Sequence, residues 1–546
     1  MRSTSLTYGM TGTLNVQRNE FPGTGEALIY IAFEDIFKND SNFKLLNDKT
    51  NGKLLEKCKR YEFEGKEDQI VFIELDSFYK LIVLVGAGKR NDFNLLKWRN
   101  CVSTGLHTIK SAKLTSATLY YWSRLGTDYF EIGKNVSIAF YLTNYLFKEY
   151  KGEEAKKKIT YLKEVNFVID DKVDEKKLQE GLDYGMLVSK GTYLSRDLVN
   201  RPASHQGPES LVETAFEIEK ESKGTIKVEV LDRDECKRLG MGSFLGVAQG
   251  SEKEPKFIVL HFDSSSQFLS RVNSSDARSE SNRNSRKNFN DSSISKRKRI
   301  CLIGKSIIFD SGGLSLKPSN HMETMKMDMA GGATVLGVFR ILANIDNVRA
   351  FHAMPLPEIY GILPACENMP SGKALRPGDV LKALNNKTIE VLNTDAEGRL
   401  TLADALAYAE KYIKPDVMID LATLTGACMV ALGRDITGMF GNDEKLLKSF
   451  EQVAKQEGEE LWKLPLHKGY AKLMKSDIAD LKNVTNSGYG GAITAALFLS
   501  EFVTKAKWIH LDIAGPAFNE TSVSNIIPKG GTGWGVLTLI EFLKKY

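Results

Sequence analysis

Two apolar, β-branched runs, each stopping at an acid followed by small residues, constrain this chain more than any other feature. ICLIGKSIIFD (Ile300–Asp310) runs into Ser311-Gly312-Gly313, and IEVLNT (Ile389–Thr394) runs into Asp395-Ala396-Glu397-Gly398. The pattern predicts one unbroken buried strand ending at Asp310. It predicts a second strand ending at Asp395 and Glu397, with a helix starting near Gly398. Ligands in open α/β sheets sit outside the carboxyl ends of strands, so these acids fall where a site belongs. Asp395 and Glu397 are two apart in extended chain, so both side chains should leave from one face. Asp328, ahead of the helical run TVLGVFRIL, supplies a fourth carboxylate. Taken singly, such acids also serve as helix N-caps. Taken together, four like charges resist ionising, and two divalent cations would neutralise them almost one for one. A two-metal centre follows, able to polarise a carbonyl or phosphoryl oxygen and to generate hydroxide near neutral pH.

A chain of 546 residues is too long for one core and predicts two or three domains. Its 42% hydrophobic and 26% charged residues are ordinary for a soluble protein. A formal charge of +5 is small for this length and gives no global case for nucleic-acid binding. The stretch MRSTSLTYGMTGTLNVQRNE has no apolar h-region, and no run reaches membrane-spanning length. Six cysteines lie scattered without C-x-x-C spacing and read as reduced thiols of a cytoplasmic protein. Seven histidines without H-E-x-x-H argue against a histidine-zinc protease.

The fold class expected is α/β in two domains, a smaller N-terminal α/β domain and a larger doubly wound C-terminal one. Residues 1–170 form the first. EALIYIAF (26–33), QIVFIEL (69–75), YKLIVLVG (79–86) and SATLYYW (116–122) read as its strands, with helical patterns over Phe93–Ile109 and Asp128–Tyr150. Residues 171–200 read as one long connecting helix that ends at Asn200-Arg201-Pro202. Residues 201–546 form the second domain, with strands over 225–232, 255–262, Val417–Leu421 and Trp508–Gly515. Between strands, LGMGSFLGVAQGS reads as a small-residue helix and turn, and SGYGGAITAALFLSEFV as a glycine-rich loop opening a helix. A low-complexity insert over 263–298, rich in Ser, Asn and Arg, should be disordered or a surface excursion. Its basic end, Lys296–Arg299, reads as a solvated linker or as a nuclear or nucleic-acid signal.

Gly304-Lys305-Ser306 ends like a phosphate-binding loop, but the upstream glycine position holds Arg299 and the run between is apolar strand. That reading is rejected. Lys305 alone would read as a salt-bridge partner for the acids. NTDAEGRL (Asn393–Leu400), with FDSGG and MKMDM upstream and RDLVNRP at the domain entry, resembles the leucine aminopeptidase family from about Arg196 onward.

The resemblance implies a metal-dependent aminopeptidase that releases leucine-like N-terminal residues from peptides with a free N-terminus. It implies metal ligation by Lys305, Asp310, Asp328, Asp395 and Glu397, with Lys305 as a neutral amine. Burial and adjacent dications would make that possible. Lys317 would stabilise the oxyanion, and Arg399 would hold a bicarbonate ion that relays a proton. Met325, Thr423, Leu424 and Gly426 match positions lining the family's pocket for the first side chain, although each also reads as ordinary core. Oxygen-rich ligation suits Mg²⁺ or Mn²⁺, whereas the family implies Zn²⁺ with Mn²⁺ or Co²⁺ exchanging at one site. The family also implies a homohexamer, an N-terminal domain serving assembly and access, and no membrane partner. The alternative is a hexameric nucleic-acid-binding regulator related to these enzymes. Only the 263–298 insert is suitably basic, and Phe268 and Phe289 are its only aromatics.

Overall fold

The computed structural model describes residues 10–18, 21, 25–76, 78–121, 128–263, 297–345 and 356–546. The division between its two units falls at Tyr193/Leu194, inside the helix Glu175–Asn200; Thr521–Lys529 belong with the first unit. That helix is the long connector expected, and Pro202 follows its end, where a missing N–H cannot continue the ladder.

The first unit is built on six strands: β1 (Thr13–Gln17), β2 (Gly25–Ala32), β3 (Ile70–Glu74), β4 (Tyr79–Gly86), β5 (Ser116–Tyr121) and β6 (Glu164–Ile169). Their order is β1-β6-β5-β2-β4-β3, parallel throughout except for the antiparallel edge strand β3. β2 and β4 read as apolar runs because they are central and covered on both faces. The helices Leu95–Ser111 and Tyr129–Asn144 cover one face, with Trp98, Phe140 and Phe167 buried between. β1 and β6 escaped the sequence reading: TLNVQ and EVNFVI interleave Asn with apolar residues, so neither forms a long apolar run.

The second unit carries a larger mixed sheet. Its strands are β7 (Ile226–Leu231), β8 (Lys256–Phe262), β9 (Arg299–Gly304), β10 (Ser306–Asp310), β11 (Glu358–Asn368), β14 (Val417–Ala422), β15 (Thr437–Gly441), β16 (Leu461–Lys463) and β18 (Lys507–Asp512). The order is β16-β15-β18-β14-β9-β11-β8-β7, with β10 continuing beside β11. Its centre, β18-β14-β9-β11, is parallel, so the carboxyl ends of four strands face the same way. A separate small sheet joins β12 (Val380–Lys382), β13 (Thr388–Glu390) and β17 (Leu481–Lys482).

Two local expectations are corrected. The run Ile300–Asp310 is not one strand: it breaks at Lys305. There the backbone N–H donates to the Leu421 carbonyl and the carbonyl accepts from the Gly332 N–H, both at 2.9 Å. Lys305 is thus bonded to the end of β14 and the start of the helix Ala330–Asn344 instead of to β11. The second run is strand only over Thr388–Glu390, and in the small sheet. Residues 391–397 form turns, so Asp395 and Glu397 do not leave one face of an extended chain. The helix does start at Gly398.

Most of the basic insert, residues 264–296, lies outside the described residues, as do Met1–Gly9 and Trp122. All six cysteines are buried and unpaired, and burial raises the Cys301 and Cys366 thiols. No described helix is long and apolar enough to cross a membrane.

Candidate metal centre

The break at Lys305 and the turn after β10 bring charge together beyond the parallel strands. Asp310 is buried at the end of β10, and one of its oxygens accepts from the Gly312 N–H at 2.9 Å and the Asn368 side-chain amide at 2.8 Å. Gly312 has φ +85, and a Cβ there would lie 2.8 Å from Asp395 Oδ1 and 2.4 Å from the Ser315 carbonyl. Glycine is required on both counts. The turn is locked from the other side by Thr394, whose hydroxyl donates to the Gly312 carbonyl at 2.7 Å and accepts from Ser315 N–H at 2.8 Å. Asn368 also donates to the Thr394 carbonyl at 3.0 Å. It therefore ties Asp310 to the Asp395 segment.

Asp328 and Glu397 both pair with Lys305. The Lys305 Nζ lies 2.7 Å from Asp328 and 2.9 Å from Glu397, and donates to the Thr423 carbonyl at 3.0 Å. The Thr423 hydroxyl donates to Asp328 Oδ1 at 2.7 Å. Lys317, beyond the glycine turn, pairs with Asp310 at 2.8 Å and with Asp395. Lys305, Asp310, Asp328 and Glu397 are each at most 3% exposed, while Asp395 is half-buried.

The electrostatics follow from that burial. Desolvation pushes the Asp310, Asp328 and Asp395 carboxyls above the usual carboxylate range, against the pull of the lysines. Burial works against both ammonium groups, yet the acids outweigh it and raise Lys305 and Lys317. Arg399 is buried in the first turn of the helix Gly398–Tyr408. Desolvation pushes its guanidinium down to about 10, against the attraction of Glu397 and Asp512. One of its nitrogens donates to the Asn483 carbonyl at 2.7 Å, and its Nε has no hydrogen-bond partner among the described residues.

The residues present fit a metal. Asp310, Asp395 and Glu397 each offer a carboxylate oxygen, and these lie within 4.8 Å of one another. Glu397 Oε2 is buried without a hydrogen-bond partner among the described residues. A buried anionic oxygen without a donor is costly, and a cation would relieve it. Four carboxylates face two lysines, so negative charge remains for a cation to balance.

Of the residues singled out from the sequence, Lys305, Asp310, Lys317, Asp328, Asp395, Glu397 and Thr423 converge in this way. Met325 opens the short 3₁₀ turn Met325–Met327 that leads to Asp328. Leu424 follows Thr423, with its N–H donating to Asp512 at 3.2 Å, and Gly426 starts the helix Gly426–Leu432. Three residues went unread: Asn368, Thr394 and Asn483. Asn483 accepts from the Leu392 N–H at 2.9 Å and donates to the Asn393 carbonyl at 2.6 Å, holding the loop that carries Asp395. The asparagine beside FDSGG in space is remote in sequence, and only the β10–β11 pairing reveals it.

Gly398 supplies a test of how tightly this centre is built. A Cβ there would lie 2.4 Å from Lys305 Cε and 2.6 Å from its Nζ. Gly398→Ala should displace the Lys305 ammonium while the helix, which gains an alanine, stays folded. Hydrolytic activity should fall about 10²-fold, the scale of an ångström-sized misplacement. Unchanged activity at an unchanged melting temperature would show that Lys305 has room to spare.

Comparison with known proteins agrees with this geometry. The family model described as "Cytosol aminopeptidase family, catalytic domain" matches residues 193–273 and 277–540, and that of the family's N-terminal domain matches 31–154. The chain is 37% identical over 535 residues to a probable cytosol aminopeptidase of Gloeobacter violaceus, covering 95% of this chain and 97% of that one. It is 39% identical over 507 residues to one from Thermosynechococcus vestitus, covering 92% of each. A solved structure of a tomato leucine aminopeptidase mutant superposes with TM-score 0.82 at 32% identity, covering 98% of this chain and 97% of that one. The bottromycin maturation enzyme BotP, solved in complex with Mn, superposes with TM-score 0.75 at 26% identity, covering 95% and 99%. With its acid-rich turns at the ends of parallel strands and both family models matched, the chain belongs to the cytosol aminopeptidase family and is a peptide-hydrolysing enzyme.

Proposed function

We propose that this aminopeptidase works through two divalent ions held by Lys305, Asp310, Asp328, Asp395 and Glu397, and prefers leucine-like residues at a free N-terminus. The observation that carries the reading is the convergence of carboxylate oxygens of Asp310, Asp395 and Glu397 within 4.8 Å of one another, with Glu397 Oε2 buried and without a hydrogen-bond partner among the described residues. When bound, such ions supply Lewis acidity toward the scissile carbonyl, a lowered pKa for water and a ligand position for a free α-amine. Zinc and manganese are the ions proposed, and the manganese complex of BotP supports the second.

The chain's own residues do the rest. Lys317 holds a fixed positive charge beside Asp310 and Asp395, and would stabilise the oxygen that gains charge as the carbonyl is attacked. Without metal, Lys305 pairs with Asp328 and Glu397 and donates to the Thr423 carbonyl, which keeps its nitrogen among the acids. Arg399, its Nε without a hydrogen-bond partner among the described residues, would hold a bicarbonate ion, a planar anion matched to a guanidinium and able to accept a proton. Met325, Leu424 and Gly426, on the segments flanking Asp328 and Thr423, are proposed to wall the pocket for the first side chain. A homohexamer in the cytoplasm is the proposed working form.

A short panel tests the reading. Metal-loaded protein should hydrolyse leucyl amide, leave N-acetyl-leucyl amide intact, and ignore a phosphate monoester. A chelator should abolish the activity and Zn²⁺ or Mn²⁺ restore it. Turnover of the phosphate ester without the amide would replace the proposal by a two-metal phosphoesterase.

A further inference from the structure

A second cleft, in the same unit, opens at the other end of the central strands from the acids. The row Lys227, His261, Tyr360 and Cys301 runs across β7, β8, β11 and β9 in direct register, and Cys301 stands near the start of β9. Over this face lies the end of the helix that begins at Gly398. After Tyr408 it widens into a π-helical turn, Ala409–Ile413, before Lys414 at φ +55 ends it. Such turns are frequent at functional sites. Between the sheet and this turn lies a cavity of about 290 Å³, lined by Tyr360, Tyr408, Tyr412, His261, Lys227 and Glu229, among others.

The lining has a definite chemistry. Tyr408 and Tyr412 stand with ring centroids 4.9 Å apart, and His261 stacks on Tyr360 at 4.3 Å. The ring of Tyr412 already attracts a cation, since Lys411 Nζ lies 5.1 Å from its centroid. Lys227 and Glu229 are exposed, and neither has an ion-pair or hydrogen-bonding side-chain partner among the described residues. They are alternate residues of β7 lining one cavity, so their backbones are about 7 Å apart along the strand. The His261, Tyr360 and Arg299 groups, by contrast, are all engaged by Glu358. Among the residues lining the cleft, the charges without a partner are thus one cation and one anion, beside a wall of tyrosine whose Tyr412 ring the Lys411 ammonium also meets.

We propose that this cleft binds a small zwitterion, its ammonium against Tyr408, Tyr412 and Glu229 and its carboxylate against Lys227. Free amino acids, which a peptidase releases, are of this class. The site is separate from the metal centre and stands whether or not the two-metal reading holds.

Glycine betaine is the probe of choice, because it is a zwitterion with no primary amine to enter the position proposed for the substrate's α-amine. Titrated into the full-length protein by calorimetry, it should bind saturably in the millimolar range expected of so small a ligand. Choline, which lacks the carboxylate, should bind about fivefold more weakly, the worth of one exposed ion pair. Tyr412→Ala, Glu229→Gln and Lys227→Gln should each weaken betaine about three- to tenfold. All three side chains are partly or fully exposed, so folding should survive, and leucyl amide hydrolysis should be unchanged. Choline binding as tightly as betaine would overturn the carboxylate half of the assignment. Absence of saturable binding, or betaine affinity indifferent to all three substitutions, would overturn the site.

Discussion

Lys317→Ala should cut turnover about 10²–10³-fold, the cost of losing one donor aimed at a developing oxyanion. The geometry limits what else the substitution can do. Lys317 is tethered by Asp310 and Asp395 and by its own N–H, which donates to the Ser311 carbonyl at 2.9 Å. The backbone tether does not involve the side chain, so the glycine turn should keep its shape in the variant. Removing an ammonium from beside two acids makes the site more negative, so divalent ions should be held at least as well as before. Metal content should therefore be unchanged, and excess metal should restore nothing. If the lysine acts only in the transition state, kcat and kcat/KM should fall together. A rise in KM at constant kcat would instead make Lys317 a substrate-binding group. Lys317→Arg keeps the charge but offers a planar, longer group, and should recover only part of the loss.

How much of this could be read from the chain depends on how local each feature is. The Asp310 turn was legible because its cause is local: a strand, an acid, then two glycines at φ +85 and +65. The connecting helix was legible for the same reason, since its charge spacing and Pro202 lie within one segment. The break at Lys305 was not, because ICLIGKSIIF is apolar throughout and the break is imposed by two backbone bonds to Leu421 and Gly332. IEVLNT was read as strand up to its acids because its β-branched composition suits one. In fact its last residues are held by the Asn483 side chain from far along the sequence. Strand β11, with Gly361 and Pro364 inside it, gives no clean apolar run, yet it pairs with β8, β9 and β10 and delivers Asn368 to Asp310. The acids of the site could be picked out one at a time. Asn368, Thr394 and Asn483, which aim them, were not picked out, because each is a common polar residue whose role exists only across a long-range contact.

Lys305→Ala should remove one of the two proposed ions and with it most of the activity, and excess metal should partly restore both. Two roles for Lys305 compete, and they predict opposite signs. As a permanent counter-ion, its ammonium neutralises Asp328 and Glu397, which it meets at 2.7 and 2.9 Å. Removing it would then raise the negative charge of the site, and metal would bind as tightly or more tightly. As a ligand, it must give up its proton when metal binds, and removing it takes a donor from one ion, so occupancy of that site falls. Without metal, the acids favour the ammonium, against the burial that opposes it. Metal binding through Lys305 therefore has to displace that proton, and uptake by the native protein should release more protons than uptake by the variant. The metal-free variant should also be less stable than the native protein, because Asp328 and Glu397 are left buried without their cation, a loss worth about 3–5 kcal/mol where uncompensated. Added divalent ion should close much of that gap in melting temperature. Elemental analysis of purified Lys305→Ala beside Lys317→Ala separates the two lysines. One ion in the first and two in the second supports the division of roles, whereas two ions in both would leave Lys305 a counter-ion and nothing more.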